Sequence, residues 1–332
     1  MPEGHSVHRI ARQIERNFVG KTVTASSPQG RFHEGAAILD GLTVREAKAV
    51  GKQMFVEFDD QTWLRVHLGL YGAWDFAGEI LMDATIASAN GRMGQTNQRG
   101  TDVEASIFDD AGENSLASIG APRKTRVNVR MSEQTKGLGD ESLQWPPPIV
   151  GTVRLRLLTD DVCADLRGPT ACAVQTPEEV DAVIAKLGPD PLVGDTTVGE
   201  ERFVAGVKRR NVAIGQLLMD QSIVSGIGNV YRAEMLFRAA LNPHTPGKDV
   251  REDTLRAMWR DWVQLLSIGV ETGQMMTMDD LDPEAYRRAM AHRDDRHWVY
   301  HRAGLPCREC GTEIVLEEMQ ARKLYWCPRC QA

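Results

Sequence analysis

The chain has 332 residues, 42% hydrophobic and 26% charged, long enough for two or three domains and of ordinary globular composition. It contains no run of eighteen apolar residues, which excludes a membrane-spanning helix. The net charge of −7 argues by itself against a nucleic-acid binder, but the deciding question is whether cations share one face.

Residues Met1-Pro2-Glu3-Gly4 open the sequence. A proline at position 2 permits removal of the initiator Met, after which Pro2 would carry a free secondary amine. Such an amine can form an iminium with an aldehyde-like carbon, as lysine does in a Schiff base. An α-amino group titrates near 8, so roughly a tenth is unprotonated at neutral pH, and a helix starting at once lowers that value through its N-terminal dipole. Val7, Ile10, Ala11, Ile14 and Phe18 recur at helical spacing and predict an amphipathic helix over 3–18. His5, His8, Arg9, Arg12, Glu15 and Arg16 leave no apolar region for a secretory signal.

Strand-like runs follow at Thr22–Ser26, Thr43–Ala49, Met54–Phe58, Trp63–Leu68 and Thr152–Leu158, separated by turn residues, as in a β-sandwich or barrel. The stretch 78–148 is rich in Gly, Ser, Asn, Asp and Gln and ends in Pro146-Pro147-Pro148. It reads as a largely disordered insertion in a surface loop, and its run Arg123-Lys124-Thr125-Arg126 reads as part of that tail. Cys163 and Cys172 are expected to be buried free thiols.

From Thr176 the pattern becomes helical. Thr176-Pro177-Glu178-Glu179 is a capped helix start with Pro in the first turn, and further helices are predicted over 200–210, 212–221, 229–240 and 250–272. Between them, Ser225-Gly226-Ile227-Gly228-Asn229 makes a tight turn that places Asn229 at an N-cap. Asn229 either caps its own helix or joins the free amides in holding an anion. The basic clusters Lys208-Arg209-Arg210, Arg287-Arg288, Arg293 with Arg296, and Arg322-Lys323 each read equally well as solvated surface. At the far end Cys307-x-x-Cys310 and Cys327-x-x-Cys330 are sixteen residues apart, the spacing of a closed four-cysteine structural zinc site. Two disulfides are the alternative, and a reducing compartment favours zinc. The apolar-rich runs 313–317 and 323–326 between the pairs predict a β-hairpin.

Together these pieces resemble the formamidopyrimidine-DNA glycosylase/endonuclease VIII family. They are the Pro2-Glu3-Gly4 start before a helix, Gly51-Lys52 in a hairpin, the signature from Asp220-Gln221-Ser222 through Asn229-Val230-Tyr231-Arg232-Ala233-Glu234, and the ending Trp326-Cys327-Pro328-Arg329-Cys330-Gln331. The resemblance covers roughly 1–77 and 150–332. It implies an α+β multidomain fold: an N-terminal helix and β-sandwich over 1–175 carrying the insertion 78–148, a helix–two-turn–helix domain over 176–292, and a zinc finger over 293–332.

It implies a bifunctional DNA glycosylase and AP lyase of base excision repair that binds damaged double-stranded DNA as a cytoplasmic, nucleoid-associated monomer, makes no membrane contact and carries one structural Zn2+. In those terms Pro2 attacks C1′, Glu3 transfers a proton, Lys52 places a positive charge at the phosphate beside the lesion, and Arg322 completes the catalytic set. Leu70 and Tyr71 wedge into the duplex vacated by a flipped nucleotide, and by periodicity alone they read equally as core. Asn229 and Arg322 hold the backbone without reading sequence.

The start Pro2-Glu3-Gly4-His5 and the Leu70-Tyr71 wedge fit the endonuclease VIII branch, which acts on oxidised pyrimidines. Removal of 8-oxoguanine or formamidopyrimidines, or damage binding without catalysis, are the alternatives. Three features depart from the family pattern: the hairpin tip Ala321-Arg322-Lys323-Leu324 where Gly-Arg-Ser/Thr-Thr is usual, Gly69 in the wedge loop, and His5 where an acidic residue is common. The run Asp165–Thr170 is expected to form the loop that carries an Arg–Phe pair in the purine branch.

Overall fold

The computed structural model describes residues 2–81, 118–120, 145–279 and 281–332. Most of the predicted insertion, with its run at 123–126, lies outside the described residues.

Helix α1 (Gly4–Phe18) buries Val7, Ile10, Ala11, Ile14 and Phe18 at helical spacing, as periodicity predicts. Its polar side is buried too, with His5, His8, Arg9, Gln13 and Asn17 all enclosed. The helix is therefore not a surface element. One face fills the sandwich core and the other meets the helical lobe, where the Arg9 guanidinium donates to the Val270 carbonyl at 2.9 Å.

Two antiparallel sheets form the sandwich. Strands β1 (Thr24–Ser26), β5 (Ala73–Gly78), β6 (Ser118–Gly120), β7 (Val153–Leu158) and β8 (Val162–Arg167) lie in the order β1-β7-β8-β5-β6. The second sheet runs in the order of β2 (Val44–Val50), β3 (Gln53–Phe58), β4 (Trp63–His67) and β9 (Ala171–Gln175). A short helix α2 (His33–Leu39) packs against β1. Side chains alternate as a pleat requires: Met54, Val56 and Phe58 enter the sandwich core, while Phe55 faces the other way onto Trp63, Val50 and Val180. Within the stretch 78–148 read as a largely disordered insertion, residues 118–120 are an exception, because Ile119 is fully buried in the sandwich core and pairs with Trp74.

Helix α3 (Pro177–Ile184) starts as predicted, with the Thr176 hydroxyl accepting from Glu179 N–H and the Glu179 carboxylate accepting from Thr176 N–H. The helical lobe continues with α4 (Thr196–Lys208), α5 (Ile214–Leu217), α6 (Asn229–Arg238), α7 (Glu252–Thr272) and α8 (Pro283–Ala291). The helix predicted over 212–221 shrinks to the four residues of α5. Asp220 instead accepts from Ser222 N–H at 2.9 Å, a local bond that favours a turn over helix continuation. Strands β10 (Val315–Met319) and β11 (Arg322–Trp326) form the predicted hairpin. Among the described residues no helix is long and apolar enough to cross a membrane.

Candidate active site

The seam between the lobes is built where backbone meets backbone. Gly4 N–H donates to the Gly226 carbonyl at 2.9 Å, and a Cβ on Gly4 would sit 2.8 Å from the Gly226 Cα. Glu3 follows Pro2 into this contact and is fully buried. Its carboxylate accepts from Gly228 N–H at 2.8 Å, Val230 N–H at 2.9 Å and Tyr231 N–H at 3.5 Å. These are the free amides at the start of α6, where a negative charge is favoured by the unpaired N–H groups and the dipole. The N-cap position belongs to Gly228, so Asn229 does not cap its helix and the anion at these amides is Glu3.

Lys52 sits at the turn of the β2–β3 hairpin, whose register pairs Val50 with Gln53. Its ammonium donates to the Ile227 carbonyl at 2.6 Å. Burial pushes the Lys52 pKa down; the charge of Glu3 opposes this and Arg322 adds to it. Pro2 and Lys52 line one small pocket with Val7, His67, Leu68 and Gly69. His67, the last residue of β4, belongs to no motif in the sequence. Burial, aided by the cations of Lys52 and Arg65, lowers its pKa, so a neutral imidazole faces the pocket at neutral pH.

Asn229 is buried, its Nδ2 donating to the Lys323 carbonyl at 2.7 Å while its Oδ1 accepts from Arg232 Nη2 at 2.5 Å. The same Arg232 nitrogen reaches the Lys323 carbonyl at 3.0 Å. Burial pulls the Arg232 pKa down to about 10, opposed by Glu3. These contacts fasten the hairpin to α6 immediately behind Arg322, which is exposed. The turn before it is built from two left-handed non-glycine residues, Gln320 (φ 51°) and Ala321 (φ 54°). The departure from a glycine tip thus keeps the turn geometry at a cost of about 1 kcal/mol per residue.

Cys307, Cys310, Cys327 and Cys330 place their four sulfurs within 4.8 Å of one another. Cys307 and Cys330 are 3.9 Å apart and Cys310 and Cys327 are 3.5 Å apart, whereas a disulfide needs about 2.05 Å. A tetrahedral zinc with bonds of about 2.3 Å spaces its sulfurs at roughly 3.8 Å, so this donor set fits the ion. Gln331, fully buried, accepts from Cys327 N–H at 2.9 Å and donates to the Leu241 carbonyl at 3.1 Å, pinning one knuckle to the segment after α6. Cys163 and Cys172 are free, the first buried and the second partly so, with burial pushing both thiols up to about 12.

Leu70 and Tyr71 stand on the loop between β4 and β5, 40% and 67% exposed, so they are not core. Half of the Asp165–Thr170 run, residues 165–167, is strand. Arg167 forms an ion pair with Asp75 on β5 and Asp165 pairs with Arg156 on β7, leaving only residues 168–170 as loop.

The sandwich and the helical lobe thus meet at Pro2, Glu3 and Lys52, with the four-cysteine hairpin fastened to α6 beside them, and the same three parts appear in a class of DNA-repair glycosylases. Residues 1–135 match the formamidopyrimidine-DNA glycosylase N-terminal domain, 187–280 the formamidopyrimidine-DNA glycosylase H2TH domain, and 304–332 the zinc finger found in FPG and IleRS. Endonuclease 8 1 of Mycobacterium tuberculosis (strain ATCC 25618 / H37Rv) is 34% identical over 333 residues, covering 100% of both chains. The formamidopyrimidine-DNA glycosylase of Ligilactobacillus salivarius is 34% identical over 159 residues, 48% of this chain and 56% of that protein. In fold, the chain is similar to Lactococcus lactis formamidopyrimidine-DNA glycosylase non-covalently bound to AP-site DNA, with a TM-score of 0.66 at 17% identity over 99% of each chain. The chain belongs to the formamidopyrimidine-DNA glycosylase/endonuclease VIII family, in its endonuclease VIII-like branch, and is a DNA glycosylase of base excision repair with AP lyase activity.

Proposed function

We propose that this protein excises oxidised pyrimidines from duplex DNA through an iminium on Pro2 and then cuts the strand by β,δ-elimination. The observation that carries the reading is the meeting of Pro2, Glu3 and Lys52, with Pro2 and Lys52 in one pocket and Glu3 buried beside them. The Pro2 nitrogen, freed by removal of Met1, attacks C1′. The bond from C1′ to the base breaks, and opening of the sugar leaves C1′ doubly bonded to that nitrogen. The iminium acidifies the C2′ proton; its removal expels the 3′ phosphate, a second elimination expels the 5′ phosphate, and hydrolysis of the iminium restores the amine.

Glu3 is the group placed for proton transfer, and three amide donors hold its side chain in place. Lys52 supplies charge at the phosphate beside the lesion, and the exposed Arg322 grips the backbone, while the buried Asn229 fastens the hairpin behind it instead of reaching DNA itself. One Zn2+ on Cys307, Cys310, Cys327 and Cys330 holds the hairpin and adds no chemistry. Similarity over the whole chain to an endonuclease 8, against half the chain for a formamidopyrimidine-DNA glycosylase, supports the pyrimidine preference. All the groups named come from one chain, in keeping with a monomer.

The test is borohydride trapping on duplexes bearing 5-hydroxyuracil, 8-oxoguanine or an abasic site, followed by peptide mapping of the adduct. A band on 5-hydroxyuracil that maps to Pro2 is expected. A band on 8-oxoguanine alone would reverse the substrate preference, and an adduct on any lysine would remove Pro2 from its role.

A further inference from the structure

Asp190 lies in the linker between α3 and α4, near the start of the matched H2TH region and outside the short motifs of the sequence analysis, and its side chain is completely enclosed. Its Oδ2 accepts from Gly51 N–H at 2.6 Å and from His8 Nε2 at 2.8 Å, and its Oδ1 accepts from Leu192 N–H at 2.9 Å. The first partner is the residue before Lys52. The second lies on α1, the helix that begins directly after Pro2 and Glu3.

The linker is itself anchored to the glycine turn of the helical lobe. Gly188 N–H donates to the Gln221 carbonyl at 2.8 Å, Ser225 N–H to the Pro189 carbonyl at 3.0 Å, and Ser225 Oγ to the Gly188 carbonyl at 2.8 Å. That turn continues to Ile227, whose carbonyl receives the Lys52 ammonium, and to Gly228, which binds Glu3. Gly51 is also held against Ser225, since a Cβ there would lie 2.7 Å from the Ser225 Cβ and the residue has φ +60°.

We infer that Asp190 is a positioning residue for the reaction, one carboxylate of the helical lobe that sets both arms of the sandwich lobe, the Lys52 hairpin and the Pro2-bearing helix. The inference rests on the catalytic reading above. A carboxylate oxygen accepts from both donors at once. An amide in its place offers a single acceptor oxygen, so either the Gly51 and His8 pair or Leu192 meets an N–H donor instead. The hairpin would then shift, and misplacement of about 1 Å in an active site costs up to roughly 100-fold in rate.

The experiment measures single-turnover trapping rate on the abasic-site duplex, equilibrium affinity for the same duplex without borohydride, and the melting curve. It uses wild type, Asp190→Asn, His8→Asn, Lys52→Gln and the Asp190→Asn/Lys52→Gln double variant. Asp190→Asn is expected to slow trapping by about 10- to 100-fold with affinity within about twofold. His8→Asn, which leaves the Gly51 bond, loses less. In the Lys52→Gln background the Asp190 substitution should cost at most about a third of its effect on wild type, because the group it positions is gone.

Unimpaired trapping by a folded Asp190→Asn overturns the inference, as does a parallel loss of rate and affinity or full additivity with Lys52→Gln. If Asp190→Asn does not fold, His8→Asn decides: a rate loss without affinity loss supports the role, and no loss overturns it. A wild type that traps nothing overturns the Pro2 reading and this inference with it, whereas a trapping wild type beside an unimpaired Asp190→Asn leaves the Pro2 reading standing.

Discussion

Glu3 has two obligations that meet in one carboxylate. It faces the chemistry beside Pro2, and it satisfies three amides of α6 that would be left without partners in a buried seam. Lys52 is similarly divided between the Ile227 carbonyl and the phosphate proposed for it. Its pKa is lowered from 10.5, chiefly by burial, which sets a pH dependence. The positive charge is present below the folded pKa and is lost as pH rises through it, so the alkaline limb of the lyase rate should begin below the ordinary lysine range. In Lys52→Arg, where the guanidinium stays charged, that limb should move to higher pH even if the maximal rate falls. A pH–rate profile of abasic-site cleavage reads both; an unmoved limb would assign it to another group. Pro2, Glu3 and Lys52 were legible in the sequence because each lies in a short local motif. His67 and Asp190 were not, because their partners lie far away in the chain: Asp190 reaches Gly51 across 139 residues.

Elements divide into those that build the cores and those that project from them. The loop between β4 and β5 projects Leu70 and Tyr71 from a rigid pair of strands, so their loss should spare the fold. Leu70→Ala with Tyr71→Ala is expected to change stability by about 0.5 kcal/mol or less per site. It should lower kcat/KM on a lesion duplex by about tenfold, since removing a wedge costs an order of 1–2 kcal/mol against unstacking. Single-stranded lesion DNA, which needs no wedge, should be cut nearly as before. An equal loss on both substrates would deny the wedge role.

Helix α6 is the opposite case. Besides binding Glu3 at its start, it carries the fully buried Glu234, whose carboxylate accepts from the Thr277 hydroxyl at 2.5 Å and from the N–H groups of Trp298, Val299 and Tyr300 at 2.7, 2.9 and 2.8 Å. Burial raises the Glu234 pKa while these donors pull it back. Glu234→Gln would turn an NH2 toward at least one of them and should cost about 2–3 kcal/mol. It should also speed zinc loss to a chelator, because residues 298–300 lead into the first knuckle. Stability unchanged within error would show that the carboxylate is not what holds the segment.

Much of this level was readable: the α3 cap, the cysteine hairpin and most helices follow local rules. Strands β5, β8 and β9 were missed for a physical reason. In β8 Ala164 and Leu166 face the core while Asp165 and Arg167 take the other face, where Arg156 and Asp75 on neighbouring strands neutralise them, a pairing that the local sequence does not show.

At the scale of the molecule there are two main cores, and the boundary between them is not where the motifs suggest. One core is the sandwich with the apolar face of α1. The other joins the helical lobe to the zinc hairpin, for Ile314, Met319, Leu324, Tyr325, Cys307 and Cys327 are buried in the same cluster as Val230, Leu236, Trp259 and Trp262. The hairpin is therefore part of the helical lobe's interior. Metal binding at a structural site contributes directly to folding, so removal of the ion should reach well beyond the finger.

Calorimetry of the chelated protein should show the helical transition, tracked by the 222 nm signal, shifted down by about 10 °C or more while the sandwich transition stays near its original temperature. The α6 amides that hold Glu3 belong to the destabilised lobe. Trapping on the abasic site should thus fall along with DNA affinity, although no metal ligand is placed near Pro2. A chelated protein that loses affinity but keeps both transitions would make the ion a prop for the hairpin tip alone. Equal shifts in both transitions would make the seam at Glu3, Gly4 and Asp190 strong enough to fuse the two lobes into one folding unit.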